Sequence, residues 1–227
     1  MLRRVLAGLM AALWLLLGAA PAVAQEEGRE AQKLVDAALK SFGRIVADPS
    51  LGWFRETLRD ARGILIVPNL IKLGFIVGGA GGSGVFLARE AQARAWSYPA
   101  FFRLNAASLG LQVGASVSEV ALIVMTDQGM RSVLSSEFQL GVDVSLAAGP
   151  LGTGAKIATA DVLAFSRGRG LYGGLTLESA LISPREDLNQ AYYGNPVSPA
   201  EILVRGKVSN LGADPLRTVL AEASGSK

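Results

Sequence analysis

The 227-residue chain carries 22 Lys and Arg against 19 Asp and Glu, with no histidine and no cysteine. Those two absences exclude Cys/His zinc sites, cysteine nucleophiles, histidine-centred triads and any disulfide framework. The formal charge is +3 and falls to +1 without Arg3 and Arg4, which is too little, and too dispersed, for a nucleic-acid binder.

The chain opens like a secretory signal peptide. Arg3 and Arg4 form a positive start, Val5 to Leu17 an apolar core, and Ala22-Val23-Ala24 a small-residue cleavage site. The apolar core is short for a membrane span of roughly 20 residues. The expectation is export to the periplasm or beyond, with residues 1–24 removed and residues 25–227 forming one domain.

From Glu30 to Val46 the period is helical. Leu34, Val35, Ala38, Leu39, Phe42, Ile45 and Val46 recur at spacings of three and four, and Lys33, Asp36, Lys40 and Arg44 take the opposite face. Asp48-Pro49 ends that helix, and Ser50 is placed to cap a second one over Leu51–Ala61. In the second helix Trp53, Phe54 and Leu58 share a side, while Arg55, Arg59 and Arg62 form a cationic stripe.

Gly63 changes the period. Gly63–Pro68 reads as a buried strand. Phe75–Gly79 and Gly84–Arg89 read as a hairpin turning at Gly81-Gly82, with positive φ expected at one of those glycines. Further strands fit Ala93–Trp96, Phe101–Ala106, Leu109–Ser116, Val120–Met125, Phe138–Ala148, Asp161–Ser166 and Leu171–Ile182. Asp127 is placed to cap a short helix to Leu134. Pro184 opens another over Arg185–Tyr192, Ser198-Pro199-Ala200-Glu201 a third, and Asp214-Pro215 the last. Helices at both ends with strands between give α+β. Glycines within the strands favour a strongly coiled, mostly antiparallel, barrel-like sheet.

Gly79-Ala80-Gly81-Gly82-Ser83-Gly84 matches G-x-G-x-x-G in form, but a strand, Val85–Ala88, follows where a dinucleotide site needs a helix. Val85 also stands where a nucleophile elbow around Ser83 would need glycine. The scattered carboxylates show no EF-hand spacing and no dyad. No cofactor or metal pattern emerges, and the reading is non-enzymatic; a hydrolase built on Ser, Lys or Asp has the least support.

Several distinctive blocks stand in order along the chain: PNLIKLGFIVGGAGGSG at Pro68–Gly84, WSYPAFF at Trp96–Phe102, SLGLQVG at Ser108–Gly114, DVSLAAGP at Asp143–Pro150, LAFSRGRGLYGGLTLE at Leu163–Glu178 and NQAYYG at Asn189–Gly194. Together they resemble the SYLF-domain family of lipid-binding proteins, over about Ala31 to Val204. The resemblance implies lipid or membrane binding. Eukaryotic members bind phosphoinositide membranes and some bind actin filaments; an exported chain would not meet actin, so no actin partner is expected.

Two N-terminal helices with basic faces suit adhesion to an anionic membrane surface. The candidate lipid-binding residues are Lys33, Lys40, Arg44, Arg55, Arg59 and Arg62. Lys72, between apolar neighbours, could meet a lipid phosphate, pair with an internal carboxylate, or snorkel from a strand end. Trp96, in the turn-like Trp96-Ser97-Tyr98-Pro99, is a candidate interfacial ring. Acyl chains would rest on apolar residues or in a cavity of the sheet. The alternative is a cell-envelope module that binds another protein without any lipid.

Overall fold

The computed structural model describes residues 2–51, 53–74, 77–89, 95–109, 114–148, 160–168, 177 and 179–225, with most side chains from residue 25 onward. Its first element is the helix α1, Leu2–Ala47, of which the helix expected at Glu30–Val46 is the C-terminal part. Asp48 then accepts hydrogen bonds from both the amide and the hydroxyl of Ser50, so Asp48 rather than Ser50 organises the break. A short 3-10 turn, Pro49–Leu51, leads into α2, Phe54–Arg59.

Among the described residues eight strands follow: β1 Gly63–Gly74, β2 Val77–Ala88, β3 Ala100–Leu109, β4 Gly114–Val124, β5 Phe138–Gln139, β6 Leu146–Ala148, β7 Val162–Gly168 and β8 Leu181–Pro184. They form one sheet in the order β5-β8-β3-β2-β1-β4-β7-β6. Every pairing is antiparallel except β6 with β7. α3, Asp127–Val133, lies between β4 and β5; α4 Glu186–Tyr193, α5 Pro199–Leu203 and α6 Asp214–Ala223 close the chain. The α+β class, with a mostly antiparallel coiled sheet and helices from both termini, is therefore as the sequence implied.

Strand alternation builds two cores. Ile64, Ile66, Val85, Leu87, Phe101, Ile123 and Phe165 point to one face, where Val35, Ala38, Phe42 and Ile45 of α1, Phe54 and Leu58 of α2, and Leu216 and Leu220 of α6 cover them. Leu65, Phe86, Phe102, Leu122, Val162 and Ile182 point to the other face, joined by Phe138, Leu140, Val133 of α3 and Leu203 of α5. Side chains from seven of the eight strands line one small void on this second face, which is what a curled sheet produces.

Four local expectations are corrected. The glycine run does not turn. β2 passes straight through Gly81 and Gly82, neither has positive φ, and the β1–β2 pairing closes between Gly74 and Gly78. The segment Phe138–Ala148 is not one strand, because Gly141 at φ 78° and the Asp143 carboxylate, which accepts from the Gln139 amide, turn the chain between β5 and β6. Pro184 ends β8 instead of opening a helix, and Thr126 instead of Asp127 caps α3 through the Gly129 amide. Parts of the strands expected at Ala93–Trp96 and Leu171–Ile182 lie outside the described residues.

The glycines serve close approach. β1 shifts register between Val67 and Leu70 against β4, and between Ile66 and Ile71 against β2. Pro68, which has no amide hydrogen to give the ladder, sits in this bulge. A Cβ on Gly82 would lie 2.7 Å from the Asn69 carbonyl oxygen, and one on Gly84 2.5 Å from that of Ile66. At Gly81 the nearest atom is the Asn105 side-chain oxygen at 3.3 Å, which can move. Gly84→Ala should therefore cost about 1–3 kcal/mol of folding stability, the range for overpacking, and Gly81→Ala clearly less. Denaturant unfolding of both variants checks this; equal losses would refute the close-approach explanation.

Asp161 joins α3, β6 and β7. Its carboxylate accepts from the Thr126 hydroxyl and from both the amide (3.0 Å) and hydroxyl (2.7 Å) of Ser145. Burial pushes this carboxyl up, and the hydrogen bonds from Thr126 and Ser145 outweigh it, leaving it below the ordinary 3.8. A depressed folded-state value adds stability that is complete above the unfolded value and is lost as pH falls through the folded one. Between about pH 5 and pH 2, the native protein should therefore lose more stability than Asp161→Asn, measured by urea unfolding across that window.

Candidate functional site

α1 lies across the sheet with its apolar stripe buried and one polar flank turned towards the β1 bulge. Lys33, Asp36, Ala37, Lys40 and Arg44 on that flank and Pro68 and Asn69 on the bulge line a cleft of about 250 Å³. The helical period makes the flank: residues 33, 36, 37, 40 and 44 fall on one side, and Lys33 and Lys40 stand about 10 Å apart along the axis. The bulge makes the floor, because it lifts Pro68 and Asn69 out of the ladder.

The charges of the cleft are unequal in freedom. Among the described residues, neither Lys33 nor Lys40 has an ion-pair partner. Arg44 is bound to Glu119, whose other oxygen takes Arg167 at 3.3 Å; Arg167 also reaches Asp48 at 3.2 Å. Hydrogen bonds from Ser50, helped by Arg167, hold the Asp48 carboxyl below its ordinary value. Asp36 accepts from the Gln32 side chain at 2.8 Å. The cleft thus presents two available ammonium groups, a partly neutralised guanidinium and one carboxylate.

The other candidate residues stand elsewhere. Arg55, Arg59 and Arg62 are exposed, but none of them lines the cleft. Arg55 donates to the Val46 carbonyl at 3.0 Å, and Arg62 pairs with Asp127 at 2.9 Å beside the start of β1. The two basic stripes therefore do not merge. Lys72 is partly exposed near the far end of β1, opposite Ala80 and Ser116. Alternation from the buried Leu70 puts it on the face away from α1.

Trp96 is a correction. It is 1% exposed and belongs to the core, so it is no interfacial ring. Its indole donates to the Ser224 hydroxyl at 3.2 Å, while Arg217 donates to its carbonyl at 2.8 Å and stacks on the Tyr98 ring. The turn-like WSYP segment is covered by α6, which spacing within the segment could not reveal. NQAYYG has a similar structural role. Asn189 accepts from the Phe101 amide at 2.9 Å, Tyr192 packs edge-on against Phe101, and Tyr193 donates to the Pro99 carbonyl at 2.6 Å. Burial pushes both tyrosine hydroxyls far above their ordinary range, so they stay protonated.

Sequence reading missed Arg103, which is exposed and, by alternation from Phe101, stands on the α1 side of the sheet. It also missed the exposed Ile71, Leu73 and Val117. A strand expected to stop at Pro68 hid Ile71 and Leu73, and the gap between the strands expected at Leu109–Ser116 and Val120–Met125 hid Val117. Among the described residues, the void inside the curled sheet lined by Leu65, Phe86, Phe102 and Phe138 is about 10 Å³, the size of a single water probe. Among the described residues no group of three acidic side chains could hold a metal.

The family described as "Las17-binding protein actin regulator" (Ysc84) matches residues 105–223. LAS seventeen-binding protein 3 of Saccharomyces cerevisiae is 34% identical over 73% of this chain and 37% of its own length. SH3 domain-containing YSC84-like protein 1 of Xenopus laevis is 29% identical over 83% of this chain and 57% of its own length. The chain thus spans well under two thirds of either relative. No solved structure matches it. The ordered blocks, the coiled sheet and these matches agree, and the chain belongs to the Ysc84, or SYLF-domain, family.

Proposed function

We propose that this chain is an exported, non-enzymatic domain that docks on anionic lipid surfaces through the α1 cleft. The observation that carries the reading is the pair Lys33 and Lys40, held about two helical turns apart at the mouth of a cleft and lacking a carboxylate partner among the described residues. Two ammonium groups at that spacing can each take a different headgroup phosphate. Arg44 adds positive potential while Glu119 fixes its position. Each cation near an anionic bilayer contributes about 1 kcal/mol, so adhesion is reversible and salt-sensitive. Arg55, Arg59 and Arg62 form a second, weaker contact or none.

Export is supported by the Arg3-Arg4 start, the Val5–Leu17 core and the Ala22–Ala24 site. The proteins named for binding Las17 are yeast proteins of which this chain covers a minor part. That partner is not carried over, and neither is actin. Lys72, the sequence candidate for a lipid phosphate, stands apart from the cleft and is not part of the proposed contact.

The test is vesicle flotation of the full chain as the cell processes it. Binding to phosphatidylcholine containing phosphatidylglycerol should fall with salt, and phosphatidylcholine alone should bind poorly. Lys33→Glu with Lys40→Glu should weaken binding by roughly thirtyfold or more, from about 1 kcal/mol per cation lost. Arg55→Glu with Arg59→Glu should weaken it far less. Equal loss from both pairs would move the contact away from the cleft, and absence of flotation would favour a protein-binding envelope module. N-terminal sequencing of the same preparation should begin at Gln25; retention of Met1–Ala24 would contradict export with cleavage.

A further inference from the structure

Beyond the bulge, the four central strands leave the cover of α1. β3, β2, β1 and β4 remain paired to their ends, with Gly74 opposite both Gly78 and Gly114, and Val77 opposite Leu109. On the face that α1 covers elsewhere, this projecting end carries Ile71, Leu73 and Val117, which are 48%, 58% and 51% exposed. Ile71 pairs with Val117 across the β1–β4 ladder, and Leu73 with Ala115, so these side chains make one patch. Gly79 and Gly81 of β2 extend it without any protruding side chain. Stretches 69–74, 77–82, 104–109 and 114–118 contain no acidic residue, and Lys72 is their only charge.

The geometry points to insertion of this strand end into the acyl region of the bilayer on which α1 docks, an inference that rests on the lipid-docking reading above. The occupant is an anionic membrane because of what borders the patch. Lys33 and Lys40 flank the cleft floored by Pro68 and Asn69, and Arg103, opposite Ser83 on β3, is exposed on the same side of the sheet. Cations therefore stand at the base of the projection, and apolar groups towards its end.

The distances agree with the layers of a bilayer. At about 3.3 Å per strand residue, Ile71 lies about 7 Å and Leu73 about 13 Å beyond Asn69. With Asn69 and the α1 lysines at headgroup level, both side chains reach the boundary between headgroups and hydrocarbon, the depth of roughly 5–10 Å or more that interfacial elements occupy. Inter-strand pairing satisfies the backbone of the two inner strands, as apolar surroundings demand. Lys72, on the opposite face of the same strand, has a four-carbon stem long enough to return its ammonium to the headgroups.

The chain has no cysteine, so a single introduced thiol reports one place. Leu73→Cys is labelled with an environment-sensitive NBD fluorophore, and Val142→Cys serves as control, since Val142 is 68% exposed in the turn between β5 and β6. The vesicles are phosphatidylcholine mixed with phosphatidylglycerol, with or without acyl chains carrying a quencher. The label at position 73 should shift to the blue, brighten, and be quenched from within the acyl layer; the label at 142 should do none of these. Independently, Leu73→Asp should reduce vesicle binding by roughly tenfold or more, the size expected for losing a buried leucine, while unfolding normally. Vesicle binding that leaves the label at 73 in water, or that Leu73→Asp leaves unchanged, overturns insertion and leaves docking by α1 standing. Absence of vesicle binding by the unaltered chain overturns the docking reading, and insertion with it.

Discussion

Between Ile66 and Ile71 the first strand leaves its ladder and comes down onto the second, and this is possible only because Gly82 and Gly84 have no side chains. A Cβ at either position would stand under 3 Å from a backbone carbonyl of β1. Three features descend from that approach. The sheet bends there and curls around Leu65, Phe86, Phe102 and Phe138. Pro68 and Asn69 are raised against α1 and floor the cleft. The remainder of β1 then runs out from beneath the helix, which is why Ile71 and Leu73 are exposed while Ile64 and Ile66 are fully buried.

α1 converts this shape into an electrostatic one. Its stripe from Ala31 to Ile45 is fixed on the sheet by burial, so the polar flank cannot rotate away from the bulge. The Arg44–Glu119–Arg167–Asp48 chain of charges adds orientation where α1 ends, over β4 and β7. Its members are partly exposed, so such pairs contribute little stability in water. Their consequence for binding is that Arg44 is shared with a carboxylate while Lys33 and Lys40 are not.

Much of the architecture was legible in local pattern. The three-and-four spacing from Leu34 to Val46 identified the α1 stripe and its cationic flank, and Ser198-Pro199-Ala200-Glu201 opens α5 as expected, with Ser198 as its cap. What failed was punctuation by glycine and proline. Pro68 reads as a stop and Gly81-Gly82 as a turn, because both residues usually break strands. Here they mark a bulge and its landing site inside two long strands, a relation between β1 and β2 that no single segment contains. Trp96 failed for a related reason: its partners, Arg217 and Ser224, are more than a hundred residues away in sequence. Within the candidate site, the basic residues could be found by periodicity, whereas their division into a cleft and a separate α2 stripe required the fold.

In the proposed docking mode one surface, formed by the α1 flank and the projecting strand end, faces the membrane. Paramagnetic relaxation of backbone amides, with the protein bound to phosphatidylglycerol-containing nanodiscs that carry spin-labelled lipid, tests it most directly. Strong broadening is expected at Asn69–Leu73, Ala115–Val117 and the Lys33–Arg44 flank, with Arg55–Arg62 and α6 spared. Broadening centred on α2 or α6, with Leu73 and Val117 unaffected, would contradict it.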